Sequence, residues 1–146
     1  MPVIVVGADT PVGTAVLTAL ADRDGEVRAF VTSEEAGRRW RSTDVRVAVG
    51  DVSDGSHVAA AAFGSFSAVL IARAAADERE RSFAAGPDAV LAGWAAAIGE
   101  AEVIRAIWVG APAPAETTPE TWFVPIEGRS PGDIAARVAE LDDRPA

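Results

Sequence analysis

The chain has no cysteine and no tyrosine, and its 13 basic residues are all arginine, so lysine is missing too. Without thiols there are no disulfides, no thiolate metal ligands and no cysteine nucleophile. Mechanisms that need a phenol or a side-chain amine as acid, base or nucleophile are likewise closed. The single histidine, His57, sits in Ser53-Asp54-Gly55-Ser56-His57. That fragment holds the three residue types of a hydrolase triad, but adjacency in sequence is not triad geometry. A lone histidine in a helix's first turn ordinarily serves surface or packing. No apolar run approaches the roughly 18 residues of a membrane span, and no basic segment followed by a cleavable apolar stretch opens the chain. A cytoplasmic protein is therefore expected. The formal charge is −9, whereas nucleic acid binding needs Lys and Arg to meet phosphates. The basic stretch Arg38-Arg39-Trp40-Arg41 is too small to reverse that balance. Neither nucleic acid nor a membrane is an expected partner.

What is present is an alternation of strands and helices. With 146 residues, 49% of them hydrophobic, the chain suits one globular domain over 1–146, with little room for a separate substrate domain. Val3 to Val6 is a short apolar run, as a central parallel strand requires. Thr10 can cap the next helix, with Pro11 at its first position and Val12, Val16, Ala19 and Leu20 at helical spacing. Glu26 to Thr32 reads as the second strand and Glu34 to Arg41 as a short polar helix. Val45, Val47 and Val49 alternate along an edge strand with one wetter face. Asp54 to Phe63 is a third helix and Ala68 to Ala72 a fourth, buried strand. Asp77 to Glu100 reads as a helix interrupted at Gly86-Pro87. Val103 to Val109 and Thr121 to Ile126 are the last strands, and a final helix starts at Ser130 or Pro131. This order predicts an α/β fold: a three-layer α-β-α, Rossmann-like, doubly wound parallel sheet of five to six strands.

Gly7-Ala8-Asp9-Thr10-Pro11-Val12-Gly13 joins the first strand to the first helix. A dinucleotide needs glycines there so that backbone approaches its pyrophosphate, and the helix N-terminus supplies free N–H groups and a positive dipole end. After the third strand comes Gly50-Asp51-Val52-Ser53-Asp54. With these two motifs the chain resembles the atypical short-chain dehydrogenase/reductases, in their NmrA-like, NAD(P)-binding branch, over roughly residues 1 to 110. The resemblance implies that Gly7 and Gly13 line the turn and that Ala8, Pro11 and Val12 present backbone toward the pyrophosphate. It places Asp51 and the Val52 N–H at the adenine, and Ala72 and Arg73 near the nicotinamide-side ribose. The chain departs from the family pattern at Thr10, where the middle glycine stands, and at Asp9, whose carboxylate would repel a pyrophosphate. The alternative is a turn that Asp9 and Thr10 cap, with no nucleotide bound.

An NAD site usually has an acid at the end of the second strand. Here Thr32-Ser33 stand there, with Arg38 and Arg39 about one helical turn on, which suits a 2′-phosphate; NADP is expected over NAD. The competing reading is an ordinary helix start, Ser33 capping and Glu34 and Glu35 in the first turn. The Tyr-x-x-x-Lys pair of the larger family is impossible in this chain, and Gly110-Ala111-Pro112-Ala113-Pro114 offers no acid or base in its place. The leading expectation is a cofactor-binding or redox-sensing module. A compact NADPH-dependent reductase of a small acceptor such as a flavin is second, and an interaction protein that has lost the nucleotide is third. Catalytic residues are not assigned and no metal is expected. Arg73 follows a buried strand where ligands bind, but pairing with Asp77 or Glu78 is the simpler reading. Asp77 to Arg81 reads as a solvated helix start. Trp94, Trp108 and Trp122 are expected in core or interface, and Trp40, among arginines, at the surface. The Ala-rich face around Ala89, Gly93, Trp94 and Ala97 suits close helix contact, so a homodimer is expected.

Overall fold

The structure, a computed structural model, describes residues 1–76 and 86–146. The chain runs β1 (Val3–Val6), α1 (Pro11–Leu20), β2 (Val27–Val31), α2 (Glu34–Arg41), β3 (Arg46–Val49), α3 (Gly55–Ala62) and β4 (Ser67–Ile71). A short 3-10 turn, Ala72–Ala76, follows, then α4 (Pro87–Glu100), β5 (Arg105–Val109), β6 (Glu120–Val124) and α5 (Pro131–Asp142). Every strand pair is parallel, and among the described residues the sheet order is β3-β2-β1-β4-β5-β6. Crossovers return the chain to the same end of the sheet, through helices as far as β5 and through the helix-free segment 110–119 between β5 and β6, which gives parallel pairing. The order reverses between β1 and β4, so the crevice beyond their C-terminal ends is the topological switch point. The expected three-layer α/β architecture is found.

Alternation along β1 sends Val3 and Val5 to one layer, with Val16, Leu17, Leu20, Ile134, Val138 and Leu141. It sends Ile4 and Val6 to the other, with Val58, Val90, Trp94 and Ile98. Each fully buried aliphatic side chain contributes about 1.5–3 kcal/mol relative to exposure. The caps follow from local chemistry: Thr10, Ser33, Asp54 and Ser130 each accept a first-turn N–H through the side chain. The sixth strand starts one residue earlier than expected and ends at Val124.

Three expectations are corrected. Trp40 is buried, 7% exposed, rather than at the surface. It shares with Gly37 the inward face of α2. Gly37 lets that helix close on the sheet, since a Cβ there would lie 2.5 Å from Val47 Cγ1. Of the Ala89-Gly93-Trp94-Ala97 face, Trp94 and Ala97 are buried, which leaves Ala89 exposed and Gly93 half-buried. In β3, Val49 is exposed while Ala48 packs on the α3–α4 layer, so the two faces are more alike than the valine alternation implied. The start of the interrupted helix, and the charged run 77–81, lie outside the described residues.

The last turns of α1, α3, α4 and α5 carry no basic residue. Arginines from elsewhere meet carbonyls at helix ends, where a cation is favoured. Arg28 of β2 donates from Nη1 to the carbonyl of Ala61, 3.0 Å away, and to that of Phe63 beyond α3. Arg23 pairs at 2.6 Å with Asp142 of α5 and donates to the Met1 carbonyl. Arg105, at the start of β5, is wholly buried. It pairs with Glu120 through Nε, and its Nη1 reaches the carbonyls of Leu141 (3.0 Å), Asp142 (2.8 Å) and Arg144 (2.9 Å).

Hydrogen bonding from Arg105, joined by the Trp122 indole N–H and the charge of Arg144, holds the Glu120 carboxyl below its usual value of 4.5 against the opposing effect of burial. Hydrogen bonding from Arg28 and the charges of Arg28 and Arg46 do the same for Glu26. A carboxyl lowered in the folded state stabilises the fold fully above its unfolded value, and that stability is lost as pH falls through the folded value. Urea midpoints should therefore drop as pH is taken below about 4.5. Glu120→Gln should flatten that acid limb; an unchanged slope would mean Glu120 takes no part in it.

Candidate functional site

The β1–α1 turn lies at the switch point, and two glycines give it its shape. Gly7 has φ +89°, and a Cβ on it would come 2.9 Å from the Cβ atoms of both Ile71 and Ala74. At Gly13 a Cβ would lie 2.0 Å from the Gly7 carbonyl oxygen. Only glycine lets the start of α1 approach β1 so closely. Thr10 closes the turn: its hydroxyl donates to the Gly7 carbonyl (2.7 Å) and accepts from the Gly13 N–H (3.0 Å). Ala8 is buried, with its N–H given to the Phe30 carbonyl at 3.3 Å. Pro11 has no N–H. Among the described residues, the first-turn amide of α1 that finds no protein acceptor is that of Val12. The glycine cradle and the positive helix end fit a diphosphate, on fewer amides than the sequence motif implied.

Asp9 does not face that helix start. Its Oδ2 accepts from both the N–H (3.1 Å) and the hydroxyl (2.7 Å) of Thr32, at the end of β2. Ser33 caps α2 by accepting the Ala36 N–H at 3.1 Å. Of the arginines on α2, Arg39 lies over the Trp40 ring, Arg41 pairs with Glu34, and Arg38 is exposed.

Beyond β3, Asp51 Oδ1 accepts from the N–H (2.8 Å) and hydroxyl (2.6 Å) of Ser53. The Asp51 N–H donates to His57 Nδ1 at 3.1 Å. That bond assigns the proton to Nε2, which lies 3.3 Å from Asp54 Oδ2. His57 thus pins the loop that follows β3. Hydrogen bonding from Ser56, together with the nearby imidazole of His57, holds the Asp54 carboxyl low. Trp94, wholly buried, donates its indole N–H to the Val52 carbonyl at 2.7 Å. No sequence signal marks this anchor, because the two residues are 42 apart. His57 of α3 and Trp94 of α4 thus both hold the loop.

Ala72 and Arg73 open the 3-10 turn after β4. Arg73 is exposed and makes no ion pair among the described residues. Gly110, at φ +90°, ends β5 and leads into the acid-free, base-free Ala-Pro segment. The turn, the β2 end, the β3 loop and the β4 end therefore all lie along the C-terminal edge of the sheet. Among the described residues no group of three or more His, Cys, Asp or Glu is placed to hold a metal. No helix among them is long and apolar enough to cross a membrane.

A doubly wound sheet with a glycine-cradled helix start at its switch point defines a dinucleotide-binding protein. A family model described as NAD(P)H-binding matches residues 7–140, and the chain belongs to that family. The resemblance read from Gly7–Gly13 and Gly50–Asp54 holds at that level. The structure is similar to the anaerobillin reductase ChuY of Escherichia coli O157:H7, with 19% identity and a TM-score of 0.71, over 100% of this chain and 92% of that one. It is similar to a Rossmann-fold NAD(P)-binding family protein of Shigella flexneri, with 17% identity and a TM-score of 0.73, over 99% of this chain and 87% of that one. A triphenylmethane reductase of a Citrobacter species, complexed with NADP(H), matches at 16% identity and a TM-score of 0.62, over 97% of this chain and 47% of that one. At these identities the likeness is one of fold. No curated protein matches the chain by sequence.

Proposed function

We propose that the chain takes its dinucleotide along the C-terminal edge of the sheet and works as a cofactor-binding or redox-sensing module without Tyr/Lys-type chemistry. The observation that carries this is the cradle: Gly7 and Gly13 leave no room for a side chain, and the Val12 amide at the head of α1 is open to an anion. Asp51 and Val52 would sit at the adenine, and Ala72 and Arg73 at the nicotinamide side. A bound nicotinamide dinucleotide supplies hydride chemistry; the protein's part is to position it. A second reading, a compact reductase of a small acceptor such as a flavin, gains from the likeness to ChuY. That protein is named a reductase, and the two match over nearly their whole lengths.

Quenching or enhancement of NADH and NADPH fluorescence on titration with the protein tests the binding. No change at millimolar nucleotide would leave a purely structural turn. Single-turnover oxidation with flavin mononucleotide then separates the two readings: binding without oxidation favours the module. The surface left for a second copy is the outer side of α4, Ala89, Ala92 and Ala96, next to Phe63, which is 74% exposed. A monomer in sedimentation analysis would dismiss that pairing.

A further inference from the structure

We infer that Arg73 is the anion anchor of an acceptor site at the nicotinamide end, one that takes a flat, conjugated molecule bearing a carboxylate or phosphate group. This rests on dinucleotide binding as read above, and it names the acceptor class of the reductase reading. Arg73 stands in the short turn after β4, between two alanines that fix its place. On one side Ala74 packs on the β1–α1 turn, its Cβ 2.9 Å from where a Gly7 Cβ would be. On the other, the Ala72 Cβ is 3.7 Å from where a Gly110 Cβ would be, at the end of β5. Arg73 therefore borders the gap between the β1–α1 turn and the β5 exit. That gap lies beyond the carboxyl ends of the strands, where ligands bind in open α/β sheets.

The surroundings supply apolar area and little charge. Ile126, 38% exposed, has its Cδ1 3.4 Å from where a Gly110 Cβ would be, and Ala72 lies across from it. In the loop after β6, Glu127 and Arg129 carry opposite charges. Most other arginines of the described residues are held in ion pairs or lie over rings. Arg73 is exposed, and among the described residues no hydrogen bond, ion pair or ring contact holds its guanidinium. An acceptor of hydride needs a conjugated, electron-poor centre, and the floor of Ala72 and Ile126 suits such a body. The net charge of −9 repels anions at a distance. An anionic acceptor is therefore held only where a local cation meets it, and a guanidinium does so with paired N–H donors.

Equilibrium binding to the full chain saturated with oxidised NAD or NADP tests this, each anion set against a neutral twin. Flavin mononucleotide against riboflavin probes a phosphate, and anthraquinone-2-carboxylate against 2-hydroxymethylanthraquinone probes a carboxylate. In at least one pair the anion should bind about fivefold or more tightly than its twin, and the pair that responds tells a phosphate-bearing from a carboxylate-bearing acceptor. Arg73→Gln should cut that ratio below about twofold, and Arg73→Lys should keep it above about threefold. Arg137→Gln removes the same charge from α5 and should leave the ratio above about fourfold. Anions that bind no more tightly than their twins, or a preference that survives Arg73→Gln, would overturn the assignment. A ratio lost equally in Arg137→Gln would overturn it too, since net charge alone would then be at work. Should Arg73→Gln fail to fold, the natural ratios and the lysine variant still decide. A chain that binds neither NADH nor NADPH would remove the dinucleotide site itself. That outcome is distinct from bound nucleotide with no anion preference, which removes this inference alone.

Discussion

Arg105→Met should lower the unfolding free energy by about 3 kcal/mol, the lower end of the range found when one partner of a buried ion pair is removed, because the Glu120 side chain is 35% exposed. At roughly 2–4 °C per kcal/mol for a chain of this size, the melting temperature should fall by about 10 °C. The side chain is 0% exposed and binds the Glu120 carboxylate together with the carbonyls of Leu141, Asp142, Arg144 and Pro145. Methionine fills much of the volume but withdraws a donor from each of those groups, and α5 loses the cation at its carbonyl end. Arg105→Lys should recover less than half of the loss, because a point ammonium with three donors cannot span acceptors that a planar, five-donor fork does. Urea and thermal unfolding of the three proteins read this directly. A methionine variant within about 1 kcal/mol of the natural chain would show that the network contributes little.

Gly13→Ala should damage both fold and binding. The new Cβ would stand 2.0 Å from the Gly7 carbonyl oxygen, a backbone atom that no side-chain rotation removes. α1 must move off β1, at an overpacking cost of about 1–3 kcal/mol or more, opposed by the roughly 1 kcal/mol that alanine gains over glycine in a helix. The shift also withdraws the Val12 amide from the switch point, so affinity for NAD(P)H should fall at least about tenfold. Gly93→Ala is the matched control. That glycine is inside α4, and a Cβ on it meets nothing within 4 Å. It should gain stability by about 0.5–1 kcal/mol and leave affinity alone. Equal behaviour of the two variants would mean the close approach of α1 to β1 does not matter.

Most of the scaffold was legible because its causes are local. Val3–Val6 is apolar throughout, so it reads as a central strand without knowledge of its neighbours. Thr10, Ser33 and Ser130 cap helices through bonds to amides three residues on. What stayed hidden depends on partners far along the chain. The direction of Asp9 is set by Thr32, 23 residues away. A local reading aims the carboxylate at the pyrophosphate, and the fold turns it aside. The burial of Trp40 goes against its arginine neighbours; it follows from Gly37 facing Val47 across α2 and β3. Arg105 gives no sign in sequence of being inside, since its carbonyl partners lie 36 to 40 residues downstream. Within the site, the glycines announced themselves through a motif, while the Trp94 and His57 contacts that hold the loop after β3 did not.

The matching of Arg105 by positions 141–145 also bears on how the chain is made. During synthesis β5 emerges carrying a guanidinium destined for an apolar layer, at a time when Glu120 and the carbonyls that will receive it have not yet been translated. β1 to β4 hold apolar side chains that can begin to collapse as they leave the ribosome, but β5 cannot settle beside β4 until α5 arrives. The segment 131–145 thus acts as a latch, and completion of the sheet waits until it has followed β5 out of the ribosome.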